Sequence, residues 1–582
     1  MTKLFVNGKI WQWKEPSDAT APRHAFAEWM LVSEDNGKIV QIGSGPPPAT
    51  SPDTHTEDLQ GALVLPGLHD SHIHAYYMGE SDEFLNLTGC TSFEDFADRL
   101  HKYDAAYPEK AWVVGFGWEQ DQLSSSARYP SRYDIDAVIK DRPVVLHRAC
   151  WHIAAVNTKA LEICGIDVTQ KVHHVESGTI DVDEHGVTGI LRENREHDEL
   201  FVCFALKFVG QAVELVTKHT WEHSEGPTTI RAKYLTNAMQ KCVRYGLTGT
   251  IASVMLLQFF LEGLTADACK YDLGIHTNDH KAWQLYEKIQ EQSGLPLRVY
   301  MTPSIGELKD PAIPRPGSKV GLLSCDRIKL FSDGSLGAPY IGTENRGILM
   351  DSDADLIKKV SDANADGYRL EIHAIGDRAA EQVLMALKAA QIPAEKRPIL
   401  THCQILGEDL LVQMRDQGVI GNIQPSFTIT DASFARKRLA EVVLTHSYCW
   451  KKMLNSGIVC AGGSDAPIET CNPFQDEKLT LEEALEIYTK NGVFAAMEET
   501  RLGQLAPGYL ADFVVLQQDV TQDHAALLAP DLVQSVWING KKTYALDANA
   551  SQWKADPTYD FSQSSLPGKN GPHVRICRCC CR

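Results

Sequence analysis

The chain has 582 residues, 43% of them hydrophobic and 23% charged, with a formal net charge of −20. Such a length is too great for one simple core, and the composition is that of a water-soluble globular protein. The acidic balance excludes the basic surface that nucleic acid or an anionic membrane demands.

The first stretch alternates like a small sheet. Leu4-Phe5-Val6 leads through Asn7-Gly8 into Ile10-Trp11-Gln12-Trp13, and two further apolar runs flank Asn36-Gly37. Asn-Gly between alternating segments is a hairpin signal. No long apolar leader opens the chain, and the most apolar internal runs are too short or carry charges, so a cytoplasmic protein with reduced cysteines is expected.

Next comes Leu65-Pro66-Gly67-Leu68-His69-Asp70-Ser71-His72-Ile73-His74. Side chains at i and i+2 of a strand share a face, so His72 and His74 can close on one divalent metal ion. With 21 His in the chain, chance alone yields about one such spacing. The apolar run before the pair supplies the context: a buried strand delivering polar groups at its C-terminal end.

Seven more apolar strands follow in a βα rhythm: Gly246–Thr250, Leu297–Thr302, Arg327–Phe331, Tyr368–Ala374, Pro398–Cys403, Val419–Gln424 and Ile458–Gly463. With Val64–His74 they make eight, the number of a (β/α)₈ barrel. Helices are expected at Asp377–Ala390 and Leu481–Tyr488. The stretch from about 90 to 240 is too long for a crossover and reads as an inserted subdomain.

Four more candidate ligands stand at strand ends: Lys329, His373, His402 and Asp465. Taken singly each has an ordinary explanation, a hydrogen-bonded histidine or a turn aspartate. A lysine inside an apolar strand is rarer, because burying an ammonium is costly. Reaction with CO₂ would resolve it, giving a carbamate able to bridge two ions. The strands Ala511–Leu516 and Val533–Ile538 then repeat the texture of the beginning, so both ends are expected in one β-domain. The tail after about 545, ending Cys577-Arg578-Cys579-Cys580-Cys581-Arg582, reads as disordered.

The order HxH, Lys, His, His, Asp resembles that of the metal-dependent amidohydrolase superfamily. The local wording of Leu65–His74, Trp112–Glu119, His152–Leu161, Gly186–Glu193, Lys329–Gly337, His373–Asp377, Gly463–Pro467 and Leu502–Leu516 is similar to its YtcJ-like branch, amidohydrolase family 3, which includes N-substituted formamide deformylase. The resemblance implies an α/β fold: a distorted (β/α)₈ barrel over 63–502, a β-sandwich built from 1–62 and 503–545, and a disordered tail at 546–582. It implies His72, His74, Lys329, His373, His402 and Asp465 as ligands of one or two divalent ions, zinc foremost, with Lys329 carboxylated if two are bound.

The implied activity is hydrolysis of a carbon–nitrogen bond other than a peptide bond, in an amide or N-formyl small molecule. Hydroxide made available by the metal would attack, and Asp465 would shuttle the proton. Asp70 is expected to hold a ligand from behind; His152 and Trp118 are expected at the substrate pocket. A homodimer is the assembly considered. Alternatives are a lactonase or deaminase on the same scaffold and a non-catalytic binding protein; Lys329 speaks against the deaminase, the filled ligand set against the binding protein. Two stretches depart from the family pattern: Ile251–Gly274 intervenes where similar chains continue directly, and the segment after Phe474 is short. An unspliced insertion and a skipped exon would account for them.

Overall fold

The computed structural model describes residues 1–546 except 16–21, 109, 111, 124–127, 149–152, 164–165, 170–173, 176–177, 194–226, 254–278, 334–340, 343–344, 347–348, 433–434, 437–438, 475–478, 524–525, 528 and 530. His152, most of the 251–274 segment, the residues directly after Phe474 and the cysteine-rich tail therefore lie outside the described residues.

Eight parallel strands form where the apolar runs predict them: β1 (Leu68–Ile73), β2 (Leu247–Ser253), β3 (Arg298–Thr302), β4 (Arg327–Phe331), β5 (Arg369–Ala374), β6 (Ile399–His402), β7 (Ile420–Ile423) and β8 (Cys460–Gly462). They pair in two runs, β1-β2-β3 and β4 through β8. The runs meet at both edges. Ser304 bridges Lys329 in the parallel sense, and the Lys329 N–H donates to Pro303 O at 2.7 Å. At the other edge Asp465 N–H donates to His72 O at 2.8 Å and His74 N–H to Ala466 O at 2.9 Å.

Helices cover the outer faces of the strands because their apolar residues recur with the helical period. In Asp377–Ala389 the buried stripe is Ala379, Ala380, Val383, Leu384, Ala386 and Leu387. Ser352 caps Asp353–Ala365 by accepting the Asp355 N–H, which satisfies one of the donors a helix start leaves over. Among the described residues no helix is long and apolar enough to cross a membrane.

Both chain ends fold together. A four-stranded sheet holds Thr2–Val6, Trp29–Ser33, Ile39–Gly43 and His55–Asp58. A six-stranded sheet joins Lys9–Trp13, His24–Ala27 and Leu63–Pro66 to Phe513–Leu516, Val533–Ile538 and Lys541–Ala545. Their shared core contains Phe5 edge-on to both Phe513 and Trp537, centroids 5.1 and 5.0 Å away.

The run Val64–His74, expected as one strand, is two. Leu63–Pro66 belongs to the terminal sheet and Leu68–Ile73 to the parallel one. Pro66 lacks the N–H that would continue a ladder. At Gly67 a Cβ would stand 2.2 Å from Thr248 Oγ1, so only glycine lets the chain pass between the sheets.

A separate seven-stranded sheet starts with Leu85–Asn86 and includes Val113–Trp118, Val144–Arg148, Ile153–Val156 and Gly186–Glu193. Trp118 is 0% exposed in its apolar core, and its indole N–H donates to Leu146 O at 2.8 Å. Expected either at the substrate pocket or in the core, Trp118 is here packed within the sheet with its one donor spent on backbone.

Candidate metal centre

The strand ends bring His72, His402 and Asp465 together, all buried, with one donor atom from each within 4.8 Å of the others. His74 joins them through Asp465, whose Oδ1 lies 3.0 Å from His74 Nε2 and 3.2 Å from His72 Nε2. The ring centroids of His72 and His402 are 5.4 Å apart.

Local backbone conformation aims these groups. Asp465 and His402 have φ of 58° and 81°, a left-handed conformation that costs a side-chain-bearing residue about 1–3 kcal/mol and persists only where the surroundings enforce it. Here they do. Asp70 Oδ1 accepts the N–H groups of both His72 and Ser464, at 3.0 and 3.1 Å. A Cβ at Gly463 would lie 2.8 Å from His72 N, so glycine is required for the loop of Asp465 to press against β1. Asp70 thus braces the ligand-bearing backbone on both sides.

Two imidazoles have assigned tautomers. His402 Nδ1 lies 2.9 Å from Gln424 Oε1, an atom that only accepts, so Nδ1 carries the proton and Nε2 the lone pair. Gln424 is itself held through Asn422, whose Nδ2 donates to Ser71 O at 2.8 Å. His72 Nδ1 likewise donates to Glu371 Oε1 at 2.9 Å, leaving Nε2 for the centre.

Glu371, Gln424 and Asn422 were not among the residues expected from the sequence. Glu371 carried a usable signal: a carboxylate inside an apolar strand, two residues before His373, is as anomalous as Lys329 and pairs with it in register.

The remaining expected residues lie close by but turn elsewhere. Lys329 Nζ sits 2.8 Å from Glu371 Oε1, both side chains fully buried. His373 lies beside His402, centroids 4.4 Å apart, while its Nε2 is 3.4 Å from Asp333 Oδ1 and its ring stacks on Phe331.

Burial opposes the charge on Asp465, yet the close approach of His72 and His74 and the charges of His72 and His402 outweigh it and hold the carboxyl well below the usual carboxylate range. Burial also opposes ionisation of Glu371, and Lys329 with His72 overrides it. His402 is pushed far below the ordinary imidazole value, first by burial and then by His373. His74 is likewise pushed down by burial, whereas at His72 burial and Lys329 are outweighed by Asp465 and Glu371, which raise it; His74 and His402 thus stand as neutral imidazoles beside an ionised carboxylate, donors that suit ion binding.

Glu469, four residues beyond Asp465, behaves oppositely. Burial pushes its carboxyl up to about 7 against the help of a hydrogen bond with Thr430, and the charges of Asp431 and Asp465 add to the rise. Below about pH 4.5 the group is neutral in both folded and unfolded chain. As pH rises from there to 7 the unfolded chain ionises first, so stability falls by about 3 kcal/mol. In chelator-treated protein, Glu469→Gln is expected to raise the unfolding midpoint at pH 8 and to leave it nearly unchanged at pH 4.5. An equal gain at both values would show that ionisation is not the cause.

The donor chemistry fits a divalent cation. Ligands at about 2.0–2.2 Å from a tetrahedral ion stand roughly 3.3–3.6 Å from each other, close to the 3.0 and 3.2 Å by which both Nε2 atoms face Asp465 Oδ1. An amidohydrolase family model matches residues 55–544. The Bacillus subtilis (strain 168) protein YtcJ is 27% identical over 85% of this chain and 91% of its own length. N-substituted formamide deformylase of Arthrobacter pascens is 23% identical over 90% of this chain and 96% of its own. The crystal structure of an uncharacterized metal-dependent hydrolase from Pyrococcus furiosus shares the fold, with a TM-score of 0.64 at 23% identity over 89% of this chain and 99% of that one. A match across nearly the whole described chain, with the buried imidazole–carboxylate cluster at its strand ends, establishes that the chain belongs to the amidohydrolase family of hydrolases.

Proposed function

We propose that the chain hydrolyses a carbon–nitrogen bond other than a peptide bond, in an amide or N-formyl small molecule, and that its eight parallel strands form a distorted (β/α)₈ barrel flanked by the composite sandwich of 1–62 and 503–545 and the insert of about 90–240. The observation that carries the reading is the approach of His72, His74 and His402 to one ionised, buried Asp465. These four would hold a divalent ion, zinc by the preference of imidazole-rich donor sets. His373 is the adjacent imidazole of the expected set.

A bound ion would act as a Lewis acid that makes hydroxide available near neutral pH and polarises the scissile carbonyl. The rest falls to the chain. Asp465, ionised at neutral pH, takes the proton from the attacking water and returns it to the departing nitrogen. His72 and His402 are kept from turning by Glu371 and Gln424. Asp70 keeps the Asp465 loop against the His72 strand.

The name of the Arthrobacter relative makes N-substituted formamides the first compounds to try. Purified protein is expected to contain a divalent ion and to release amine from at least one N-formyl amine or other small amide; chelation should abolish release and zinc should restore it. Metal content with turnover of lactones alone would replace this reading by a lactonase. Absence of any bound ion would end it.

A further inference from the structure

We propose that Ile429 and Ile468 form an apolar clamp at the mouth of the metal centre, so that the amide substrate carries a large apolar substituent on its nitrogen. This rests on the amide reading above.

Exposure locates the mouth. His72 and His402 are sealed, whereas His74, Asp465 and His373 keep 8, 9 and 13% of their side-chain surface, so substrate reaches the cluster past these three. Two segments border that opening. One follows β7: Phe427 stacks on His402 with centroids 6.3 Å apart and starts the short helix Phe427–Thr430. The other follows β8: the Ile468 N–H donates to Asp465 O at 2.9 Å, three residues beyond the aspartate. A hydrogen bond between Thr430 and Glu469 holds the two segments side by side. Asp431 secures the first by accepting from Tyr448 Oη at 2.6 Å and Gln404 Nε2 at 3.3 Å. Polar side chains are thus spent within the joint, and each segment leaves an isoleucine in water beside it, Ile429 at 54% and Ile468 at 43% exposed. Phe331, half-buried and stacked on His373, extends the same apolar border. Single exposed apolar side chains are ordinary, but three around one opening make the kind of wall that ligand sites present. Asp465 returns the proton to the departing nitrogen, and Ile468 stands on the same turn of chain. A group attached to that nitrogen therefore meets the isoleucines.

The test uses purified full-length enzyme with its own metal and two series of small amides. One series lengthens the N-alkyl group of a formamide from methyl to pentyl. The other lengthens the acyl group of an N-methyl amide by the same steps. In the first, kcat/KM is expected to rise about two- to fourfold per methylene, the worth of a CH₂ taken from water, through KM rather than kcat. The second should stay flat. The double variant Ile429→Ser/Ile468→Ser alters surface side chains only, so circular dichroism should be unchanged while the first series flattens. Ile429→Ser alone should remove about half of the slope on a logarithmic scale, which keeps the test decisive if the double variant does not fold. Val412→Ser, on the helix Glu408–Asp416 and 46% exposed in the native chain, should leave the slope as in wild type. A flat first series, a steeper second one, or a slope that survives the serines would overturn the clamp and leave the hydrolase reading intact. Failure to hydrolyse any amide would overturn both.

Discussion

Asp465→Asn is expected to lower kcat about 10²–10⁴-fold, the range that a positioned proton-transfer group contributes. The substitution is isosteric, and asparagine accepts the left-handed conformation at φ 58° as readily as aspartate does. The N–H to His72 O bond that anchors the loop is made by backbone and survives. What is lost is the ability to take up a proton, and with it one anionic donor facing His72 and His74. Fold and KM should therefore change little while turnover collapses. Two readouts separate the causes. If zinc remains bound at saturating concentration and kcat is still lost, the defect is proton transfer. If kcat recovers as zinc is raised, the carboxylate served mainly as ligand. Activity within threefold of wild type would remove Asp465 from the mechanism.

The metal-site residues are legible along the chain because of how such a fold places them. A ligand at a strand end is preceded by an apolar run and followed by a turn, so His72, His402 and Asp465 announce themselves locally. The strands carrying them are legible for the same reason. What depends on the register between strands is not. Glu371 acts by facing Lys329 on β4 and reaching His72 on β1, and neither relation is visible along the chain. Gln424 and Asn422 matter only through His402 and Ser71, for the same reason. Trp118 shows another limit: an aromatic ring at the end of a strand has one composition whether it lines a pocket or fills a core, and the chain alone does not show its burial. The division at Gly67 is hidden because the apolar run Leu63-Val64-Leu65 leads through Pro66-Gly67 straight to the histidines, so that Val64–His74 reads as one strand. The crowding that excludes a side chain at Gly67 comes from Thr248, far away in sequence.

The second large effect concerns stability rather than chemistry. Arg298, at the start of β3, donates from Nε to Asp512 Oδ2 at 2.8 Å and from Nη2 to Oδ1 at 3.1 Å, and both residues are buried. Its Nη2 also donates to Asn539 Oδ1 at 2.6 Å, while Asp512 Oδ1 accepts the Asn539 N–H and Asp512 O accepts the Gly67 N–H. This pair clips the parallel sheet to the sheet built from both chain ends, next to the point where Gly67 carries the chain between them. Arg298→Met leaves a buried carboxylate without its cation, which costs about 3–5 kcal/mol. Equilibrium unfolding in urea should show that loss as a lower midpoint with an unchanged slope, or as an earlier separate transition if the terminal sheets melt first. The double variant Arg298→Met/Asp512→Leu should recover part of it, because the uncompensated charge is gone while the Asn539 N–H has lost its acceptor. Zinc content should be unaffected, since the clip contains none of the groups around Asp465. A loss below about 1 kcal/mol, the range of exposed pairs, would mean that the clip is open to water and that the two sheets are held by apolar packing alone.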